Sequence, residues 1–446
     1  MKIGFISLDH LIGWTGITRL IDRIAFSMHA RGHEITIISQ ENKSLQNRNR
    51  SSSSYPCDFL VIDLSSPEKI DESRNKISAS GLDICVGSVG AGQTQLIHIP
   101  RLFYKTNIPF IHGEPADPRV FSYERWNPYE HYRVLYSVAA IQVLLEEYIP
   151  FYPKILHPKI HVIGNPAQPP CAVDFPARRA KAVRTIIASG RFNEDDKRYS
   201  VLLSAFANLC KKTDEDFSGW RLKLVGDGSF RDYYHVLAGQ LGIKNFVDFT
   251  GAVDNPNPHY DRADIFCLPS FRAEGLPMVF GEAAAHALPI VGFDSCAASA
   301  AIINSKIGRL AKNHDETKAV EHLTAALREL MLLSPEEREI IGINARDFFQ
   351  ERFGEEKIFN QWEVLMMNVF ENWQGLTPDS PVWTDKLFSG EPPGENPDAE
   401  IVRLQCELAR LKTDYGTLEK KYTALKSQFQ GMVVKNRSNK KSKKRK

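Results

Sequence analysis

The sequence predicts an α/β protein of two domains, each built on a parallel sheet, with a long helical extension behind them. Three observations carry this. Short apolar runs alternate with helical stretches along most of the 446 residues, the signature of repeated βα units. A stretch rich in Pro and Arg, 166–180, divides them into two series. From Ile401 onward apolar residues recur with alternating spacings of 3 and 4, as a heptad seam does.

In the first series, Lys2–Ser7 reads as a buried strand, and Gly13-Trp14-Thr15-Gly16 as the loop leading into a helix over Ile17–Ala30. Gly32-His33 stops that helix before the strand Glu34–Ser39. A strand, a glycine loop, a helix and a second strand make a βαβ unit, whose loop lets backbone N–H groups approach a ligand. Residues 43–56 form a polar, Ser-rich loop, and Phe59–Asp63 and Asp83–Gly87 are further strands. Pro109–Glu114 closes another with the polar cluster His112-Gly113-Glu114, and ligands bind beyond the carboxyl ends of such strands. Ala139–Leu145 and Lys159–Ile163 complete a domain spanning 1–165.

The second domain spans 181–353. Arg184–Ser189 is a strand running into Gly190-Arg191-Phe192, then an acidic loop reaching Lys197-Arg198, then a helix over Val201–Cys210. Arg221–Val225 leads into the turn Gly226-Asp227-Gly228, and Phe246–Gly251 and Asp264–Pro269 are strands. The stretch RAEGLPMVFGEAAAHALPIVG, 272–292, places Pro277 in the first turn of a helix, where a missing N–H is no loss. Pro289 ends that helix and Pro-Ile-Val-Gly opens a buried strand. Glu274 then stands just before a helix N-terminus and Glu282 in its second turn. N-terminal N–H groups attract phosphate oxygens, and the two carboxylates can accept sugar hydroxyls. Asp315–Leu333 and Pro335–Phe353 read as helices, and 354–375 holds a last amphipathic helix.

Composition narrows the class. Hydrophobic content of 43% and charged content of 25% suit a globular protein with two cores. Seven cysteines at 57, 85, 171, 210, 267, 296 and 406 form no CxxC pair, which points to a reducing compartment rather than a zinc or disulfide framework. The opening MKIGFISLDH is a strand interrupted by Asp9 and His10 rather than a signal peptide, and no apolar run nears the roughly 20 residues of a membrane span. A cytoplasmic protein is expected, with any membrane contact peripheral. The net charge of +2 hides a basic tail: 435–446 hold eight basic residues and no acid, and the remainder carries 48 basic against 54 acidic residues, net −6.

After a Pro/Gly linker at 376–399, the seam Ile401, Leu404, Leu408, Leu411, Tyr415, Leu418, Tyr422, Leu425, Phe429 predicts a coiled coil over 400–430 and hence a homo-oligomer, or packing on another protein's helix. The tail 431–446 reads as solvated, with an anionic membrane surface as the next partner and nucleic acid disfavoured.

The succession LVGDG, VDFTGAV, ADIFCLPS, EGLPMVFGEA, LPIVG resembles the retaining glycosyltransferases of family 4, in register over the whole second domain. The opening glycine loop with "RGHEI" and Gly164-Asn165-Pro166 resemble the same family's first domain and linker. The resemblance implies the GT-B fold: two Rossmann-like domains facing a cleft, with the family's loop and helix before "GRL" within Asp294–Ala311 and 354–375 as the crossover helix that returns to the first domain. It implies a donor site in which Arg191 and Lys197 (or its neighbour Arg198, since the spacing is one residue longer than usual) bind the diphosphate. Glu274 would contact the transferred sugar and Glu282 the ribose. Gly16, Gly226, Val253, Gly275, Leu276 and Pro277 would complete the donor site, with Val253 near the base. His112 joins Arg191, Lys197 and Glu274 as a catalytic candidate, because relatives place a histidine near that point. The implied reaction moves a sugar from a nucleotide donor to a glycan or glycolipid hydroxyl without metal or other cofactor.

Two other functions are compatible with the sequence. A glycosidase using Glu274 and Glu282 is disfavoured, since eight residues on one helix would separate them by about 12 Å of rise, beyond the roughly 5–9.5 Å such pairs need. A non-catalytic scaffold assembling partners through its coiled coil is the alternative from another class.

Overall fold

The protein is described from a computed structural model over residues 1–8, 16–40, 57–87, 98–103, 106–118, 128–211, 217–270, 274–312 and 316–374. The polar loop 43–56, the linker 376–399, the heptad seam and the basic tail lie outside these.

The first sheet has seven parallel strands: β1 (Lys2–Ile6), β2 (Glu34–Gln40), β3 (Asp58–Ile62), β4 (Ile84–Gly87), β5 (Phe110–Gly113), β6 (Ala140–Val143) and β7 (Ile160–Val162), in the order β3-β2-β1-β4-β5-β6-β7. The central strands β4, β5 and β6 are wholly buried, which is why they read as continuous apolar runs. The second sheet has six: β8 (Arg184–Ser189), β9 (Trp220–Val225), β10 (Val247–Gly251), β11 (Ile265–Leu268), β12 (Ile290–Phe293) and β13 (Gly308–Ala311), in the order β10-β9-β8-β11-β12-β13. In both sheets the strand order reverses direction beside the first strand, between β1 and β4 and between β8 and β11. Crevices for ligands open at such points.

Several elements depart from the sequence reading. Gly308–Ala311 is an edge strand that the sequence reading leaves unassigned; of its four residues only Gly308 and Ala311 are buried, too little pattern to announce it. Pro67–Ala79 is a helix that the sequence reading leaves unassigned. Its buried stripe is only Ile70, Ser73 and Ile77, and its start is fixed by Ser66, whose side chain accepts from Lys69 N–H. The dividing stretch is itself partly helical at Phe175–Ala180, capped by Asp174.

The domains touch directly. Tyr148 OH donates to the Gly275 carbonyl, and Asn165 Nδ2 donates to the Leu276 carbonyl at 2.6 Å. A Cβ on Gly275 would lie 2.5 Å from both Leu144 Cδ1 and the Pro115 carbonyl oxygen, so only glycine lets the loop approach this closely. The last described helix, Glu355–Asn372, buries Ile358, Phe359, Trp362, Leu365 and Met366. It is held to the first domain by charge. Arg31 reaches Glu356 at 2.8 Å and Glu363 at 2.7 Å, His33 Nε2 lies 3.0 Å from Glu363, and Arg23 pairs with Glu355.

Candidate active site

A cavity of about 600 Å³ lies between the domains at the carboxyl ends of the strands; Gly87, Gly113, Ser189 and Val225 line it. Two helices aim their first turns into it, one from each domain. Gly16–Ala30 contributes Gly16, Ile17, Arg19 and Leu20, and Met278–Ala285 contributes Met278, Val279 and Glu282. The first N–H groups of a helix have no intrahelical acceptor and carry partial positive charge, so both ends favour an anion.

Every residue expected to bind a donor lines this cavity: Gly16, Arg191, Lys197, Gly226, Val253, Glu274, Gly275, Leu276, Pro277 and Glu282. Arg191 is placed by its neighbour Phe192, which is fully buried edge-on against Tyr199 and Tyr234. Phe192 N–H donates to the Asp227 carbonyl at 2.9 Å, tying the Arg191 loop to the turn after β9. That turn requires glycine. Gly226 has φ +142°, and a Cβ there would lie 1.9 Å from the Gly190 carbonyl oxygen.

Lys197 ends the short helix Glu194–Lys197, and its ammonium forms an ion pair with Glu274 Oε1. Arg198, the other candidate cation, takes left-handed backbone with φ 50° between that helix and the next, and is not among the lining residues. Glu274 Oε1 also accepts from Ser270 Oγ at 2.9 Å. Glu282 Oε2 accepts from Tyr260 OH at 2.9 Å. Burial pushes the Glu282 carboxyl above its usual range, while the Tyr260 bond and the positive charges of Arg19 and Arg23 pull the other way. Arg19 is a residue that sequence reasoning missed. It lies three positions after Gly16 on the helix following the glycine loop, which is the only signal that could have raised it. With Arg191 and Lys197 it brings a third cation to the cavity, facing the acids Asp227, Glu274 and Glu282.

His112 is not brought to the cavity, contrary to the expectation that it would contact a substrate. It is 0% exposed at the end of β5, because the strand's alternation turns it away from the crevice while Gly113 lines it. Its Nε2 donates to Glu114 Oε1 at 2.7 Å, His131 Nε2 donates to the same oxygen at 2.9 Å, and Tyr152 OH donates to Oε2 at 3.0 Å. Burial alone would raise the Glu114 carboxyl, but the charge and hydrogen bonds of His131 and His112 hold it well below the usual carboxylate range. The ligand atoms of His112, Glu114 and His131 lie within 4.8 Å of one another, which among the described residues makes this the group able to hold a metal ion. As they stand, those three atoms satisfy one another, and within this group His112 Nδ1 is buried without a partner.

Residues 174–348 match the family described as glycosyl transferases group 1. The chain is 30% identical over 171 residues to an uncharacterized glycosyltransferase of Haemophilus influenzae, a match covering 38% of this chain and 45% of that one. It is 29% identical over 157 residues to the GalNAc-alpha-(1->4)-GalNAc-alpha-(1->3)-diNAcBac-PP-undecaprenol alpha-1,4-N-acetyl-D-galactosaminyltransferase of Campylobacter jejuni, covering 35% of this chain and 40% of that one. The matches span less than half the length of these curated relatives. The structure of Anabaena HepE in complex with UDP superposes with a TM-score of 0.64 at 14% identity, covering 82% of this chain and all of that one. The fold is GT-B, as the sequence resemblance implied.

Proposed function

We propose that this protein, whose residues 174–348 carry the glycosyl transferases group 1 family match, is a retaining glycosyltransferase. It would move a sugar from a nucleotide donor to a hydroxyl of a glycan or glycolipid. The observation that carries this is the meeting of Arg191, Lys197, Glu274, Glu282 and two helix N-termini in one interdomain cavity. A departing nucleoside diphosphate accumulates negative charge, and preorganised cations and helix ends stabilise it without reorganising. Carboxylates beside them serve the hydroxyls of sugar and ribose. The departing phosphate can itself take the acceptor's proton while the new bond forms on the face it leaves, which keeps the anomeric configuration and leaves no side-chain base to be found.

With three cations and two helix ends available, we expect no metal requirement. The Campylobacter relative's name, with its PP-undecaprenol, suggests an acceptor on a lipid carrier, met at the cytoplasmic face of a membrane. No described helix is long and apolar enough to cross one. The Anabaena structure makes UDP-sugars the first donors to try.

The test is free-nucleotide release from a panel of nucleotide sugars with full-length protein. Turnover with one donor, lost in Arg191→Ala and in Glu274→Ala and retained in EDTA, is the expected result. NMR of the product's anomeric proton then decides retention. Folded protein that turns over none of the panel would leave a non-catalytic scaffold as the better reading.

A further inference from the structure

We propose that Cys171, His286 and Asp261 form a base-assisted nucleophilic thiol, and that Cys171 is a site of two-electron oxidation by hydroperoxides. The three residues lie outside the cavity, where the dividing stretch packs on the far end of the helix Met278–Ala285. Cys171 Sγ is 3.4 Å from His286 Nε2, and His286 Nδ1 is 2.7 Å from Asp261 Oδ1. Nucleophile, base and orienting carboxylate thus follow one another in hydrogen-bond contact.

The carboxylate fixes the tautomer. Asp261 accepts from Nδ1–H, so Nε2 presents its lone pair to the thiol. The imidazole is held in place as well. It is 1% exposed and stacks on the Tyr260 ring, with centroids 5.4 Å apart and planes 21° from parallel. Arg178 braces the backbone of both partners, donating to the His286 carbonyl at 3.0 Å and the Asp261 carbonyl at 3.2 Å. Cys171 N–H donates to the Ala285 carbonyl at 2.9 Å, which seats the thiol beside the helix end. Cys171 itself is half-buried and so within reach of a small oxidant.

Burial pushes the Cys171 thiol up and the His286 imidazole down. The resting pair is therefore neutral, S–H donating to Nε2, and the proton leaves as sulfur attacks. A sulfur lone pair attacks the terminal oxygen of the hydroperoxide, the S–O bond forms and the O–O bond breaks. The thiol proton passes through His286 to the departing oxygen, giving an alcohol, or water from hydrogen peroxide. Sulfur is oxidised by two electrons to sulfenic acid and the peroxide is reduced by two.

The experiment exposes full-length protein to hydrogen peroxide at neutral pH, traps sulfenic acid with dimedone, and follows each cysteine peptide by mass spectrometry. Cys57 and Cys210, also half-buried, are internal references. General-base assistance is worth about 100-fold or more at full effect, so Cys171 is expected to tag at least about tenfold faster than either. His286→Gln should bring it down to their rate, and Asp261→Asn should lower it several-fold. Asp261 is 46% exposed, so its replacement keeps the fold and decides the matter if His286→Gln does not fold. A Cys171 that tags no faster than Cys57 and Cys210, or whose rate is unchanged in Asp261→Asn, overturns the proposal.

Discussion

Replacing Glu274 with Gln should tighten nucleoside diphosphate binding while lowering turnover. The Lys197 ammonium is engaged by Glu274, whose side chain is 17% exposed. A phosphate that takes the far side of the same ammonium leaves its charge about 5–6 Å from the carboxylate. At an effective dielectric of about 20 to 60 that repulsion is about 1–3 kcal/mol, or about 5- to 150-fold in affinity. The partial exposure of this pair favours the lower end. Gln is isosteric and still accepts from Ser270, so the cavity's shape is kept. Titration calorimetry with UDP reads the first effect directly: Kd should fall about fivefold or more. Nucleotide release from the active donor should fall about 100-fold, because the carboxylate no longer serves the sugar. Weaker UDP binding in Glu274→Gln would refute the charge competition, and unchanged turnover would refute the sugar role.

Three further outcomes follow from the geometry. Gly226→Ala should lower stability by about 3–5 kcal/mol, from backbone strain at positive φ together with the clash on the Gly190 carbonyl, and a urea transition measures it. Glu282 has its carboxyl raised by burial, so ionising it opposes folding; that penalty is present at neutral pH and disappears as pH falls to the unfolded value of 4.5. Glu282→Gln should therefore raise the Tm at pH 7, the gain vanishing near pH 4.5, as scanning fluorimetry can follow. Glu114 has the opposite sign: its carboxyl is held low, so it stabilises above pH 4.5 and that contribution is lost as pH falls further. Glu114→Ala should cost about 3–5 kcal/mol at pH 7 by leaving His112, His131 and Tyr152 without their shared acceptor, and the cost should shrink in acid.

Much of this protein is set by local pattern. Arg184–Ser189 and Pro335–Phe353 have the bounds expected from the sequence, because a buried parallel strand and a Pro-started, Ser-capped helix are written in consecutive residues. The resemblance also singled out Arg191, Lys197, Glu274 and Glu282, and all four line one cavity at the strands' carboxyl ends, where open sheets form their crevices. What tertiary structure decided is everything that depends on approach from a distant part of the chain. Arg19, from the first domain, lines the cavity together with residues of the second. His112 shares the Glu114 Oε1 acceptor with His131, which only the packed chain brings alongside. Lys197 lines the cavity while Arg198 does not, and the left-handed backbone at Arg198 is something no spacing rule could foresee. Cys171 meets His286 across 115 positions of sequence. Local periodicity reports which face of an element is buried; which side chain from elsewhere then covers that face is fixed only when the elements pack.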